Sequence, residues 1–371
     1  MIRVVYNAVN LERGGGLNGA LGYLQAWQEI GARMDLTVYA SRPSVLDAIS
    51  ALRPDIKVIP FAFERSSARH TFAQQTRLGP LIERNGTDVV LSTLHAVGRC
   101  GVPQVVHHRN LLRFMGDTFW TRLRSGEFVD GVKDWLAHVG LRKAAANVFI
   151  SRYMREQAER YYPESAPRNH VIYNGLSREL FAAAERSDAS WSGRPHIIAL
   201  QSHWPYKNNA GLLRMLKLLI EREPEVSWEL SILGGGDWSH LDAPIKELGL
   251  RERVRFPGYL NHEEMDPLLR DSICLVFPSR VEGFGNPPLE AMARRCPVVA
   301  SNTSAMPEVI GDAGILCDPD CPEEFADAVC ALYHDHNRRA ELITRGLTRI
   351  GQFRWTDSAA AMMKLFEACA A

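Results

Sequence analysis

The chain has 371 residues, of which 46% are hydrophobic and 23% are charged, and these values exclude a largely disordered protein. At roughly 100–200 residues per domain, the length predicts two domains. Lysine plus arginine equals aspartate plus glutamate at 43 each, so no overall positive field attracts nucleic acid, and we expect no nucleic-acid partner.

The sequence also favours a cytoplasmic location. Met1–Asn10 becomes polar too early for a signal peptide, and no run of about 18 uncharged apolar residues occurs. The seven cysteines are odd in number and do not form a disulfide-like pattern. Cys317 and Cys321 have no second Cys or His pair near them at zinc spacing, so we predict no metal site.

Short apolar runs alternate with helical patterns in the first half of the chain. Runs rich in β-branched or aromatic residues are typical of buried strands, and they occur at 2–6, 36–39, 89–91 and 105–106. Between the first two, apolar residues recur near helical spacing from Leu17 to Ile30. This βαβ pattern predicts a parallel sheet covered by helices.

The segment from Asn110 to Ala144 departs from this pattern, because it interleaves aromatic and aliphatic residues with basic ones. One interpretation is a pair of surface helices with solvated basic faces. The alternative is a surface that contacts an anionic or lipid-linked acceptor, or the membrane itself. The second interpretation would add peripheral contact with the inner face of the membrane to the cytoplasmic location.

The second half repeats the alternation. Predicted strands lie at 196–200, 229–233, 254–256, 274–277 and 297–300, separated by helical stretches such as 210–220. The turn-forming Asn174-Gly175 marks the boundary between the halves. We predict two Rossmann-like, doubly wound α/β domains that face a cleft, residues 1–173 and 174–350, followed by a helix within 351–371.

A glycine-rich segment, Gly14-Gly-Gly-Leu-Asn-Gly19, follows the first predicted strand. It contains Gly-x-Gly-x-x-Gly, but the acidic residue that a dinucleotide fold needs at the end of the second strand is missing, since Asp35 stands at that strand's beginning. Glycines let backbone amides approach a phosphate at the positive end of a helix. Gly15 and Gly16 are therefore candidate phosphate contacts, and a glycine loop without a ligand is the alternative.

The most informative stretch surrounds Glu282 and Glu290, which stand eight positions apart around Gly283-Phe284-Gly285. Two prolines, Pro287 and Pro288, suit the first turn of a helix, which puts Glu282 before the helix and Glu290 in its opening turn. Both carboxylates then face the carboxyl end of the sheet, where α/β folds bind ligands. Carboxylates accept hydrogen bonds from vicinal hydroxyls and a helix N-terminus suits a diphosphate, so the stretch predicts a nucleotide-sugar site.

This stretch resembles the E-x7-E signature of the family-four retaining glycosyltransferases, which have the GT-B fold. Other short segments also resemble sequences of this family, among them Leu233-Gly-Gly-Gly236, Phe256-Pro-Gly-Tyr259 and Val171-Ile-Tyr-Asn-Gly175. The resemblance implies a metal-independent enzyme without a cofactor that moves a sugar from a nucleotide-sugar donor to a glycan or lipid-linked acceptor, in polysaccharide or glycolipid biosynthesis. It also implies that the last helix, 358–371, crosses back onto the N-terminal domain.

The resemblance further implies roles for matched residues. Glu282 would contact donor-sugar hydroxyls and Glu290 would hold the ribose. Gly15 and Gly16 would face the donor phosphates or the acceptor. Backbone amides would assist from Gly283, Phe284, Gly285 and Asn286.

The family also places an arginine and, about five residues later, a lysine on the donor diphosphate. Lys207 matches the lysine, but Ser202 stands at the arginine position. Either His203, Arg280 or Arg109 supplies the second cation, or phosphate binding is weaker.

Three candidate catalytic residues end a strand of the first half: His107, His108 and Arg109. The family often has a histidine here, near the reacting sugar. Strand alternation puts His107 and Arg109 on one face and His108 on the other. The resemblance does not determine which of these residues corresponds to the family's histidine. A purely structural histidine pair is the other interpretation.

Two alternative functions remain open at this point. A nucleotide-sugar epimerase can share the fold but would need acid–base pairs on both faces of the sugar. A non-catalytic sugar-nucleotide-binding subunit would explain Ser202 at the arginine position.

Overall fold

The computed structural model describes residues 1–12, 14–61, 67–115, 128–186 and 191–371. The chain divides into two compact units, one formed by Met1–Gly175 with Arg354–Ala371 and the other by Leu176–Phe353. Each unit is an α/β structure built on one parallel sheet.

The first unit contains a seven-stranded sheet of order β3-β2-β1-β4-β5-β6-β7. All its pairings are parallel. The central strands are buried on both faces, which explains their continuous apolar sequence. Its strands are β1 (Ile2–Asn7), β2 (Met34–Ala40), β3 (Lys57–Pro60), β4 (Val89–Thr93), β5 (Gln104–His108), β6 (Ala146–Phe149) and β7 (Asn169–Val171).

Helices cover both faces of this sheet, because parallel strands need crossover connections. They are α1 (Gly15–Glu29), α2 (Pro43–Leu52), α3 (Ser67–Ala73), α4 (Gly79–Arg84), α5 (Phe128–Lys143) and α6 (Arg152–Tyr161). A π-helical turn, Gln74–Leu78, joins α3 to α4, and short 3-10 turns occupy Leu111–Phe114 and Pro163–Arg168.

The second unit contains a six-stranded parallel sheet of order β10-β9-β8-β11-β12-β13. The strand order reverses between β8 and β11, and the carboxyl ends of strands at such a switch point are where open α/β sheets bind ligands. The strands are β8 (His196–Leu200), β9 (Glu229–Leu233), β10 (Val254–Gly258), β11 (Cys274–Phe277), β12 (Val298–Ser301) and β13 (Ile315–Cys317).

The helices of this unit follow its strands in alternation. They are α7 (Arg178–Glu185), α8 (Asn209–Arg222), α9 (Asp242–Glu247), α10 (His262–Arg270), α11 (Asn286–Ala293), α12 (Met306–Ile310), α13 (Pro322–His334) and α14 (His336–Ile350). Two 3-10 turns occupy Pro205–Lys207 and Ser239–Leu241. The core is the apolar layer between sheet and helices, where Trp228 and the apolar side of α8 are buried.

The last helix, α15 (Trp355–Ala370), belongs to the first unit and packs on α1. Its Met362 and Phe366 are buried in the core of that unit. The indole Nε1 of Trp27 donates to the carbonyl of Ala359 at 3.2 Å, and the hydroxyl of Ser358 donates to the carbonyl of Tyr173 at 2.8 Å. These contacts hold the C-terminal helix on the first unit.

The α/β fold prediction is confirmed, with two parallel sheets and helices around each. The predicted strands at 196–200, 229–233 and 274–277 coincide with β8, β9 and β11. None of the described helices combines the length and apolarity needed to cross a bilayer.

Candidate functional site

Two predicted site residues meet at the switch point of the second unit. Lys207 ends the 3-10 turn after β8, and Glu282 lies in the loop after β11. The Nζ of Lys207 lies 2.6 Å from Oε1 of Glu282, and the two side chains remain 15% and 12% exposed. The ammonium group also lies 5.1 Å from the ring centroid of Phe277, the last residue of β11. The arrangement is a charged pair, largely shielded from water, at the edge where this fold binds ligands.

The backbone of Glu282 is fixed by the loop after β12. The amide of Glu282 donates to Oγ of Ser304 at 3.0 Å, and its carbonyl accepts from the amide of Ala305 at 3.4 Å. Ser304 has a φ of 55°, which is uncommon for a residue other than glycine. Sequence reasoning missed Ser304, because nothing in its local sequence distinguishes it from any loop serine.

The glycine loop after Glu282 has a demanding geometry. Gly285 has a φ of 91°, and a Cβ there would lie 2.2 Å from Cε of Met306, so only glycine fits. Phe284 is buried against Phe353, with ring centroids 5.5 Å apart. A ligand contact from Phe284 would therefore come from its main chain, as would one from Gly283. Asn286 begins α11, and its Oδ1 is buried without a hydrogen-bond partner among the described residues.

Glu290 differs slightly from the prediction. It is the fifth residue of α11, so it lies just beyond the opening turn and not within it. Burial raises the pKa of its carboxyl group, against the opposing charge of Arg294. Arg294 donates to the carbonyl oxygen of Glu290 at 3.0 Å and to other groups, and no hydrogen bond to the Glu290 carboxylate is found within the described ranges. Within the described part of the chain, the carboxylate therefore has hydrogen-bond acceptor capacity that the protein does not use.

The region of Ser202 contains an aromatic stack. The carbonyl of Ser202 accepts from Nδ2 of Asn209 at 2.9 Å. The ring of His203 stacks on Trp204 with centroids 4.8 Å apart, and it fills the space beside Gly236. Arg280, another candidate for the second cation, instead forms an exposed ion pair with Asp320 at 2.7 Å.

In the first unit, the structure brings Arg109 to the glycine loop. Its Nη2 donates to the carbonyl of Gly15 at 2.8 Å. A Cβ on Gly19 would lie 1.9 Å from Nη1 of Arg109, so the absence of a side chain at Gly19 makes room for the guanidinium. Burial lowers the pKa of Arg109, while Tyr6 and Tyr23 act in the opposite direction. The adjacent Gly16 lies in the first turn of α1.

The two histidines before Arg109 are enclosed in the core of the first unit. His108 is 2% exposed, stacks on Phe149 and lies 3.0 Å from Oδ1 of Asn147, and burial lowers its pKa to about 4. His107 is 1% exposed and lies edge-on to Tyr23, and burial takes its pKa well below the usual value. Both rings are therefore neutral near pH 7 and enclosed by protein.

A polar cluster that sequence reasoning missed lies at the carboxyl ends of β1 and β4. Nδ2 of Asn10 donates to Oε1 of Gln74 at 2.8 Å and lies 3.4 Å from Nε2 of His95. Gln74 begins the π-helical turn, and its Nε2 is buried with no partner in the described part of the chain. Leu94, beside His95, has a φ of 75°. A π-helical turn and a strained residue together often mark functional positions.

The basic and aromatic segment 110–144 is partly described, with residues 116–127, including Arg122 and Arg124, outside the described ranges. Arg113 forms an ion pair of 2.7 Å with Asp134. Part of the positive charge of the segment is therefore neutralised within the segment. Trp135 is 52% exposed on α5. In the described ranges, no group of three or more His, Cys, Asp or Glu side chains is placed to hold a metal ion.

Comparison with known proteins gives two family matches. The model described as "Glycosyltransferase Family 4" matches residues 15–180, and "Glycosyl transferases group 1" matches residues 194–335. Together the two matches cover most of both units.

Curated relatives agree with these matches. The chain is 28% identical over 232 residues to O-antigen chain mannosyltransferase B of Escherichia coli, covering 59% of this chain and 60% of that enzyme. It is 32% identical over 164 residues to D-inositol 3-phosphate glycosyltransferase of Corynebacterium jeikeium, covering 42% and 39%. The chain thus spans 60% or less of the length of these two relatives.

Solved structures are similar over nearly the whole chain. A glycosyltransferase from Rickettsia africae ESF-5 has a TM-score of 0.74 at 12% identity, covering 99% of this chain and 98% of that one. Anabaena Alr3699/HepE, solved in complex with UDP-glucose, has a TM-score of 0.72 at 16% identity, covering 99% and 100%. At these identities the similarity concerns the fold, which is that of the GT-B glycosyltransferases.

Proposed function

The chain belongs to Glycosyltransferase Family 4, and from that premise we propose that it transfers a sugar from a nucleotide-sugar donor to an acceptor hydroxyl, with retention of the anomeric configuration and without a metal ion. The observation that carries the proposal is the Lys207–Glu282 pair at the switch point of the second unit. An ammonium group suits a diphosphate, and a carboxylate beside it suits sugar hydroxyls.

When the donor binds, Lys207 and Glu282 separate and each bonds to the donor instead. The diphosphate takes the ammonium of Lys207, and the carboxylate of Glu282 is released to the hydroxyls of the donor sugar. Main-chain amides from Gly283 to Asn286 assist at the start of α11, where the helix dipole favours negative charge. Glu290, whose carboxylate has no hydrogen-bond donor among the described residues, accepts from the ribose hydroxyls.

The chemical step is a front-face displacement. The acceptor oxygen bonds to the anomeric carbon while the bond from that carbon to the diphosphate oxygen breaks, and the hydroxyl proton passes to the departing diphosphate. The protein positions the reactants and stabilises charge on the leaving group, which are large contributions in preorganised sites. No covalent protein intermediate is required.

The acceptor is proposed to bind the first unit near the glycine loop. Arg109 holds Gly15 there, and the amide and imidazole groups of Asn10, Gln74 and His95 form a polar cluster after the neighbouring strands. Such groups can bond to the hydroxyls of a glycan. The named activities of the relatives, on O-antigen chains and on inositol phosphate, support a role in polysaccharide or glycolipid biosynthesis.

We further propose peripheral contact with an anionic membrane through the side of the first unit that contains α3 and α5. These helices pack together, and each exposes a large apolar side chain, Phe72 at 67% and Trp135 at 52%. Exposed aromatic residues next to basic ones favour the surface of a membrane. Co-sedimentation with phosphatidylglycerol vesicles should exceed that with phosphatidylcholine vesicles and should fall in Trp135→Ser. Equal sedimentation with both lipids would contradict this part of the proposal.

The decisive experiment has two stages. A thermal-shift panel of nucleotide sugars identifies the donor, since a ligand that binds only the native state raises the melting temperature. Release of free nucleoside diphosphate is then measured with and without acceptor extract. Release that depends on an acceptor supports the transferase. Conversion of the donor without any acceptor would indicate an epimerase, and binding without turnover a non-catalytic subunit.

A further inference from the structure

A buried arginine stands behind Glu290. Arg294 is 1% exposed, and burying a guanidinium is costly unless its hydrogen bonds are satisfied. Its Nε donates to Oδ1 of Asp266 at 3.1 Å, its Nη1 to the carbonyl of Glu290 at 3.0 Å, and its Nη2 lies 2.7 Å from Nδ1 of His262. One side chain thus joins α10 to α11.

Arg294 is held in place by a second layer of contacts. The other oxygen of Asp266 accepts from Nε of Arg270 at 3.1 Å, and Arg270 in turn donates to the carbonyl of Ala183 in α7 at 2.6 Å. Three helices therefore fix the guanidinium. Three of its five N–H donors go to Asp266, His262 and the carbonyl of Glu290, and among the described residues Arg294 forms no hydrogen bond with the carboxylate of Glu290.

This contact determines the tautomer of His262. A guanidinium has only donors, so the nitrogen that it faces must offer a lone pair. Nδ1 of His262 is consequently the acceptor, and the hydrogen of the neutral ring is on Nε2. The orientation of the ring is fixed at the same time.

The Nε2–H group is left for a ligand. His262 is an exposed residue at the start of α10, on the carboxyl side of β10, and the guanidinium that it faces also donates to the main-chain carbonyl of Glu290. Among the described residues, none accepts a hydrogen bond from Nε2. A fixed donor therefore lies in the neighbourhood of a carboxylate that only accepts.

We infer that His262 is a nucleoside contact of the donor site, and that its Nε2–H, oriented by Arg294 and Asp266, donates to an acceptor atom of the base or ribose. The inference rests on the proposed function, since the nucleotide is that of the sugar donor. His262 is then a binding residue and Arg294 a positioning residue.

The test is calorimetric titration of the full chain with UDP, GDP and ADP. For the nucleotide that the wild type binds, His262→Phe should raise Kd about tenfold, because it removes one hydrogen bond to a polar ligand. His262→Gln, which keeps a side-chain N–H, should recover most of that loss. His334→Phe is the matched control, because His334 is an exposed histidine of the same unit that is paired with Glu223, and its Kd should equal that of the wild type.

Kinetics and spectroscopy separate positioning from a merely structural role. In His262→Phe, the donor KM should rise about tenfold with kcat unchanged, as expected when uniform binding is lost. In protein labelled with ¹⁵N-histidine, long-range ¹⁵N–¹H correlation spectra should show Nδ1 of His262 unprotonated and Nε2 protonated. Arg294→Gln should give a mixture of tautomers. If that variant does not fold, the wild-type spectrum still decides the tautomer.

The outcomes are distinct from those of the proposed function. Nucleotide binding and transfer that are both unchanged in His262→Phe would overturn this inference alone. Binding that weakens in His262→Phe, in a protein that transfers no sugar, would support the contact and contradict the transferase. A wild type that binds none of the three nucleotides would overturn both.

Discussion

The two units present their chemically important residues in opposite ways. At the switch point of the second unit, Lys207 and Glu282 form a part-buried ion pair, which we propose a charged ligand separates. In the first unit, His107 and His108 lie in the core, and Arg109 extends from the same strand end to the glycine loop. The difference teaches that a residue at a strand end is available to a ligand only if no helix or loop covers that side of the strand.

The largest expected effect tests the Lys207–Glu282 pair. Glu282→Gln should lower kcat about 10²–10³-fold, the range for loss of one preorganised polar contact in an active site. The same variant should bind free nucleoside diphosphate at least as tightly as the wild type, because Lys207 no longer has a carboxylate partner. Acceptor-dependent release of nucleoside diphosphate and calorimetry measure the two effects. Full activity in a folded variant would remove Glu282 from the site.

The buried histidines predict an acid-sensitive fold. Burial lowers the pKa of His108 to about 4, so the unfolded chain takes up a proton first as the pH falls. Stability that is present above the unfolded pKa of about 6.5 is lost progressively toward pH 4, at a cost of about 2 kcal/mol between pH 7 and 5 for this group.

Urea unfolding at pH 7 and pH 5 checks this expectation. His108→Gln should lose about 2 kcal/mol less than the wild type over this interval. An equal loss in His108→Gln and the wild type would mean that His108 is solvated in the folded state.

A variant of Glu290 tests whether a second residue of the second unit contacts the donor. If its carboxylate binds the ribose, Glu290→Ala should raise the donor KM about tenfold and leave kcat nearly unchanged. The measurement is initial rate against donor concentration at saturating acceptor. An unchanged KM would mean that Glu290 does not contact the ribose and has only a structural role in α11.

The smallest expected effect lies in the first unit. In Gly19→Ala, the new methyl group would occupy the space of the Arg109 guanidinium, which must move away from the carbonyl of Gly15. Because the displaced group is the end of a flexible side chain, the stability cost should be about 1 kcal/mol or less. The acceptor KM should rise a few-fold while the donor Kd stays constant. A change in donor Kd instead would assign the glycine loop to the donor phosphates.

The features of the site that could be predicted from the sequence are those set by neighbouring residues in the chain. Gly285 and the prolines after it fix a loop and a helix start through their own backbone preferences, so the placement of Glu282 before α11 followed from a few neighbouring residues. Ser304, His262 and Arg294 could not be found in this way. Each contacts a residue that lies 22, 32 or 28 positions away, through contacts that packing creates.

The amino-acid sequence alone determined the alternation of buried strands and amphipathic helices in both halves, because apolar periodicity and turn residues act over a few positions. Tertiary structure decided which polar groups are paired, enclosed or left for a ligand. It buried His107 and His108, joined Lys207 to Glu282 and fixed the tautomer of His262 through Arg294. The physical reason is that desolvation and hydrogen bonding depend on every element packed around a group, and those elements come from distant parts of the chain.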